Sequence, residues 1–391
     1  MSMRYKIGQV TYCEYNYGSI LQTYAAQQLF EQFGVETVLI VPKRTGIHRY
    51  LHILEDRWSG YRKYILYPRY IGKFRSMRAG SRKKVLSVNV RGSLEKNKRF
   101  IEAEIRSISI EHRRLRSVAQ SDQYAAFISG SDQIWNADWL TLRKDYFLRF
   151  SPKRKRIAFA PSFGKAEIAQ YNKKAYRKYI SEYRLLSVRE KSGVRLIRDL
   201  TGREASLVLD PTLLLTCSKW CERKAGKTEV VPPAGRYAFV YFIDAPSDAA
   251  LHFMRELIAQ GVEILVFGID HVDFSQAGNC RFTDGSPWDY IHLLEHAHII
   301  LTDSFHGAAL SINFEKSFYV FKRRYSHGID QSERVLSLLE LCDLGGRFVE
   351  DRAPHRAEVI AYDRVREKLA VYRRESFAYV DQILDCIRSE A

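Results

Sequence analysis

Short apolar runs that break into glycine, serine, aspartate or histidine recur along this chain, and each is followed by apolar residues at helical spacing. Residues 6–12, 36–41, 125–129, 156–160, 185–188 and 207–209 read as one series of strands, and residues 237–243, 262–267, 299–301 and 318–321 as another. Strands separated by helices pair in parallel, because only a long crossover returns the chain to the same end of a sheet. Between the two series, residues 219–236 break the rhythm with clustered charge, Pro232, Pro233 and Gly235, and read as a linker. The expected fold is α/β, with one Rossmann-like domain over residues 1–218 and a second over 237–345. A chain of 391 residues that is 46% hydrophobic can bury two such cores. Residues 331–341 read as a helix. Residues 359–387, within a terminal segment 356–391, form a long amphipathic pattern able to pack back on the first domain.

Charge is unevenly spread. The formal net charge is +17, yet residues 41–120 alone hold 21 Lys and Arg against 6 Asp and Glu. The surplus therefore belongs to a basic helical insert at about residues 43–118, where Tyr61, Tyr64, Ile65, Tyr67, Tyr70 and Ile71 alternate with cations. Such a surface suits an anionic membrane, a diphosphate-bearing lipid or nucleic acid, and equally a solvated helical hairpin with snorkelling cations. No charged leader with an apolar core opens the sequence, and no apolar run nears the roughly 18 residues that cross a bilayer. A cytoplasmic protein is expected, at the inner face of the membrane if the insert meets lipid. The six cysteines are scattered; only Cys217 and Cys221 lie close, without a second Cys or His pair beside them in sequence, so no metal is expected.

Ligands of open parallel sheets bind at the carboxyl ends of the strands, so the strand-ending loops carry the chemistry. Residues 13–18 hold Asn16, Tyr17 and Gly18; Ser19 reads as the cap of a helix bearing Ile20, Leu21, Tyr24, Ala25, Leu29 and Phe30 that Gly34 ends. The loop lacks G-x-G-x-x-G, and no Walker-type sequence occurs, so neither a dinucleotide nor a P-loop nucleotide is indicated. Residues 130–136 supply Ser131, Asp132 and Gln133, a polar set that binds a sugar or merely turns the chain, with Trp135 filling core. Residues 302–307 lead straight from a strand into a helix, which aims free amides and a positive dipole end at whatever binds there. Asp303 or Ser304 caps that helix, and His306 stands in its first turn, as a titratable donor or as a satisfied core histidine. After residues 318–321 comes a cationic loop, Lys322, Arg323 and Arg324 followed by Tyr325, Ser326, His327 and Gly328, at the same edge.

NYGSILQTYA at 16–25, GSDQIWN at 130–136, DPT at 210–212 and TDSFHG at 302–307 together resemble the polysaccharide pyruvyl transferase family, in the family's order, over residues from about 5 to 345. The resemblance implies a GT-B-like fold, two Rossmann-like domains facing a cleft with a C-terminal helix crossing back to the first. It implies transfer of pyruvate from phosphoenolpyruvate to two sugar hydroxyls, forming a ketal and releasing phosphate, with no cofactor and no metal. His306 would then be the general acid, since its pKa lies near neutrality. Ser304, Asp303, Gly307, Lys322, Arg323 and Arg324 would hold the donor's phosphate and carboxylate, Asp303 by orienting His306 or capping its helix. Asp132 would take the acceptor's proton, and Asn16, Tyr17, Gly18, Ser19, Ser131 and Gln133 would line the acceptor side, with Gly18 allowing close backbone approach. The acceptor would be a saccharide, lipid-diphosphate-linked if the insert meets an anionic membrane; nucleic acid is not expected.

Two other functions fit the same sequence. A GT-B glycosyltransferase using a sugar nucleotide would need acidic residues for a ribose in the second domain, where Asp284 and Asp289 are available. A non-catalytic binding protein for nucleic acid or an anionic surface would rest on the insert alone, and would show steeply salt-dependent affinity.

Overall fold

The computed structural model describes residues 5–14, 16–72, 75, 91–268, 273–324, 330 and 332–389. Two parallel sheets organise them. In the first, β1 (Tyr5–Val10), β2 (Val35–Lys43), β3 (Ser107–Glu111), β4 (Ala126–Ser129) and β5 (Arg156–Ala158) lie in the order β3-β2-β1-β4-β5. A short parallel pair, β6 (Ser187–Val188) and β7 (Ser206–Leu207), hangs beside it through a bridge between Ile157 and Leu185. In the second sheet, β8 (Tyr237–Tyr241), β9 (Glu263–Phe267), β10 (Cys280–Thr283), β11 (Ile299–Thr302), β12 (Phe318–Phe321) and β13 (Phe348–Val349) lie in the order β10-β9-β8-β11-β12-β13. The α/β class and the two Rossmann-like sheets expected from the strand alternation are both present.

The strand orders fix where ligands can go. Chain direction across a sheet reverses between β1 and β4 in the first and between β8 and β11 in the second, and the crevice beyond such a reversal is where doubly wound sheets bind. The loops after β1, β4 and β11 are the ones holding Asn16–Gly18, Ser131–Gln133 and Ser304–His306. Central strands β8 and β11 are buried at every residue, as parallel strands covered on both faces must be.

Several element limits differ from the sequence reading. The first helix begins three residues earlier, at Tyr17, because Asn16 rather than Ser19 caps it: the Asn16 Oδ1 accepts from Gly18 N–H at 2.8 Å. That helix, Tyr17–Glu31, is buried almost throughout because both domains pack on it, so its polar residues face protein rather than solvent. Strand β3 lies inside the basic stretch; its alternating Ser-Ile-Ser-Ile pairs with Leu39–Lys43 and extends the sheet edge. The first third of the linker, residues 219–224, belongs to helix Cys217–Lys224, seated by the fully buried Trp220. Tyr325–Gly328 and Gln331 lie outside the described residues.

The last helix, Tyr362–Ser389, joins the two halves. Near its start Tyr362 donates its hydroxyl to the Lys316 carbonyl at 2.6 Å in the second domain. Three turns on, Arg373 donates to Leu213 O and Asn313 Oδ1, each at 2.9 Å, and Tyr379 then reaches Ala158 O of the first sheet at 2.6 Å. One continuous apolar cluster runs from Ile7 through both sheets to Ile387. No helix among the described residues is long and apolar enough to cross a membrane.

Candidate active site at the domain junction

Four strand ends converge on one buried carboxylate. Asp210 caps the short helix Pro211–Leu214, its Oδ1 accepting from Thr212 N–H at 3.1 Å and Thr212 Oγ1 at 2.8 Å. Its other oxygen faces the junction and accepts from Ser131 Oγ at 2.6 Å and Arg189 Nη1 at 2.5 Å. From the opposite domain, His306 Nε2 stands 3.7 Å from the same Oδ2, beyond a hydrogen bond but close enough for charge to be felt. Burial by itself would raise the Asp210 pKa; His306, Arg189 and Ser131 outweigh it and hold the carboxyl far below the usual range. Asp210 is thus an anion facing an imidazole.

His306 comes to that position by local folding. Ser304 caps helix Phe305–Asn313, its Oγ accepting from Gly307 N–H at 3.4 Å, which leaves His306 in the first turn. The ring lies directly against Gly18 of the first domain: a Cβ there would sit 2.3 Å from Nδ1. Glycine is what lets the domains close on this histidine. His306 is only 5% exposed, and its Nε2 has no hydrogen-bond partner among the described residues. A polar nitrogen buried among charged groups with no partner is suited to a proton that moves rather than one that holds the fold.

Two buried cations flank it. Arg189, at the end of β6, gives one guanidinium nitrogen to Asp210 and another to Asp132 Oδ1 at 3.2 Å, with its plane 4.1 Å from the Phe305 ring centroid. Burial opposes its charge, but Asp210 and Asp132 prevail and its pKa is raised. Arg334, from helix Glu333–Leu341, lies 4.0 Å from Asp132 Oδ1 and 5.9 Å from the Phe305 ring. Asp132 adopts a left-handed φ of 61°, which turns its carboxylate toward both. Beneath it Glu190 accepts from Phe163 N–H at 2.6 Å, and burial raises its pKa.

The remaining sequence candidates divide. Ser131 is in the cluster through Asp210, and Gly18 through His306. Gln133 packs its amide against Gly164, and Ser19 Oγ donates to the Glu14 and Asn16 carbonyls. Tyr17 is an interdomain peg: it stacks on Tyr290 at 5.4 Å and donates its hydroxyl to Gly285 O at 2.8 Å, so it is not an open acceptor wall. Asn16 Oδ1, besides capping, lies 3.4 Å from the Tyr241 hydroxyl. Gly307 is required because a Cβ would meet Thr302 Oγ1 at 2.5 Å. Asp303 neither orients His306 nor caps its helix. Its oxygens accept from Ile243 N–H at 2.7 Å, Asp244 N–H at 3.0 Å and Arg323 Nε at 3.0 Å, tying the end of β8 to β12. Arg324 pairs with Asp248 at 2.8 Å and Lys322 with Glu350 at 3.4 Å, both near solvent.

The sequence reading gave Arg189 and Arg334 no role. Arg189 had a signal, an arginine closing an apolar strand; Arg334, on an amphipathic helix, had none. Of the acidic residues a ribose would need, Asp284 pairs with Lys96 at 2.9 Å, and Asp289 forms a capping box with Ser286 and accepts from Glu229 and Val230 amides. Among the described residues, the side chains grouped closely enough for a metal lie elsewhere: His292, Glu295 and His296 keep their ligand atoms within 4.8 Å of one another, but Lys224 Nζ already meets the Glu295 carboxylate at 2.8 Å.

The sequence matches the polysaccharide pyruvyl transferase family over residues 16–325. The chain belongs to that family. The matched region takes in Gly18, Ser131, Asp132, Arg189, Asp210 and His306, so the junction cluster is family territory, whereas Arg334 and the last helix lie beyond it. No curated protein matches the chain in sequence. Solved structures with a similar course include the glycosyltransferase SnogD from Streptomyces nogalater, at 13% identity over 98% of this chain and 100% of that one, TM-score 0.43. MurG from Acinetobacter baumannii aligns at 8% identity over 99% of each chain, TM-score 0.43. UDP-GlcNAc 2-epimerase from Neisseria meningitidis aligns at 9% over 97% and 100%, TM-score 0.43. None of these likenesses carries chemistry across to this family member.

Proposed function

We propose that this pyruvyl transferase family member moves pyruvate from phosphoenolpyruvate to two hydroxyls of a saccharide, giving a cyclic ketal and inorganic phosphate. The observation that supports the reading best is the unpartnered His306 Nε2 at the Asp210 carboxylate, in the first turn of the helix that Ser304 caps. Asp210 stabilises the imidazolium, which can then donate a proton to C3 of the enol and leave C2 cationic. A saccharide hydroxyl adds to C2 and its proton passes to Asp132. A carboxylate suffices as acceptor, because the hydroxyl becomes strongly acidic as it bonds to a cationic carbon. The C2–O bond to phosphate then breaks, phosphate keeps the electron pair, and the second hydroxyl closes the ketal. One proton ends on the new methyl group and one on phosphate, which balances the two lost by the hydroxyls.

Anion recognition falls to Arg189, Arg334 and the first-turn amides rather than to Lys322, Arg323 and Arg324, whose ion pairs lie elsewhere. The reaction as written needs no metal or cofactor. The test is to incubate the protein with phosphoenolpyruvate and candidate saccharides and to follow phosphate release together with a ketal methyl resonance. His306→Ala is expected to slow both at least about a hundredfold, the usual scale for a lost general acid, with the melting temperature held. Undiminished turnover in that variant, or turnover of a sugar nucleotide in place of phosphoenolpyruvate, overturns the reading.

A further inference from the structure

Helix Gly46–Leu66 shows an inverted arrangement of residues. At about 100° per residue, Tyr50, Leu54, Trp58, Tyr61 and Ile65 fall within an arc of about 80° and run roughly 22 Å along the axis. All five face outward: Tyr50, Trp58 and Ile65 are each 63% exposed, Tyr61 58% and Leu54 40%. The Trp58 and Tyr61 rings stack on each other, 6.1 Å apart and 26° from parallel, over open solvent. The opposite side is the anchored one. Gly60 is buried against Leu140, and Lys63 donates its ammonium to Leu140 O and, at 2.7 Å, to Asn172 Oδ1. Burial lowers the Lys63 pKa to about 8, so Lys63, unlike the exposed Arg62 beside it, is turned inward.

A helix normally hides its apolar side and shows its charges. Here the apolar stripe is left outside, beside the exposed Arg62 and Arg69, on a stretch with 21 Lys and Arg against 6 Asp and Glu. We propose that this stripe docks on an anionic lipid surface, Trp58, Tyr61 and Ile65 entering the headgroup boundary while the surrounding cations meet lipid phosphate. The charge argues for this occupant over a second copy of the chain, since two such basic faces repel. The breadth of the apolar stripe argues for it over nucleic acid, whose backbone offers nothing to bury five apolar side chains. The helix follows β2 and rests on residues after β4, so it stands at the carboxyl edge of the first sheet, the same edge as Gly18 and Ser131. A saccharide carried on a membrane lipid would meet the protein on that side. The docking does not rest on the pyruvyl reading, because its readout is binding alone.

The experiment is co-sedimentation of the full chain with vesicles of phosphatidylcholine alone and with about a third phosphatidylglycerol, while tryptophan emission is followed. Binding to the anionic vesicles, weakened by salt and at least about tenfold tighter than to the neutral ones, supports the proposal. Trp58→Glu and Ile65→Glu together should abolish it with the melting temperature unchanged, since both residues are exposed; Leu336→Glu, an exposed apolar site on another helix, should leave it intact. Three results overturn the proposal: no binding to either vesicle, equal binding by the Trp58/Ile65 variant, or a DNA duplex bound as tightly as the anionic vesicles.

Discussion

Two arginines near the helix that carries His306, Arg189 and Arg324, are built differently. Arg189 is buried, shares itself between Asp210 and Asp132, and stacks on Phe305. Arg324, at the sheet edge the sequence favoured, is half-exposed and pairs with one nearly free carboxylate, Asp248. A surface ion pair is worth little, whereas a buried charge persists only where every neighbour is arranged for it. Proximity in sequence to a functional helix therefore says less about a charge than the surroundings the fold gives it.

The contrast can be broken most sharply at Asp210. Asp210→Ala would leave Arg189 buried with Asp132 as its one remaining anion, and Ser131 Oγ without its acceptor, costing about 3–5 kcal/mol of stability by denaturant titration along with activity; a loss under about 1 kcal/mol would mean the cluster is not a unit. Next comes Gly18→Ala, whose methyl would meet the His306 ring. We expect stability to fall by about 1–3 kcal/mol and turnover by about a hundredfold, because the imidazole must shift to make room. An unchanged enzyme would separate Gly18 from the histidine.

The pH dependence is a finer probe. Asp210 has a folded pKa far below its unfolded value of 3.8, so its contribution is complete above about pH 5 and drains away as the pH falls through 4 and below. Asp303 and Glu190, raised by burial, slope the other way, so the comparison needed is wild type against Asp210→Asn. The variant's melting temperature should fall less between pH 5 and 3; parallel curves would rule out an ionised Asp210. The smallest effect belongs to Arg324→Ala, within about 0.5 kcal/mol in stability and within twofold in KM for phosphoenolpyruvate. A tenfold rise in KM would restore the loop as an anion site and undo the contrast.

Much of the fold was legible locally. Apolar strands such as Ile299–Thr302 declare themselves by composition, and Ser304 before Phe305 declares a helix start, because strand burial and capping act over a few residues. Asn16 was misjudged in favour of Ser19 since both can cap and only the backbone's entry angle chooses between them. His306 stood out for the same local reasons, and the fold sets its Nε2 3.7 Å from the Asp210 carboxylate.

What sequence alone determined is therefore the class of fold, the family, and the histidine at a helix start, all written within short windows where periodicity and capping operate. The tertiary structure decided the rest: that Asp210, 96 residues from His306, is its anion; that Arg189 and Arg334 are the cations beside it; and that the stripe on Gly46–Leu66 faces outward. Each depends on which surfaces are brought together across the two sheets, and Coulomb attraction and burial follow distance in space, which spacing along the chain does not encode.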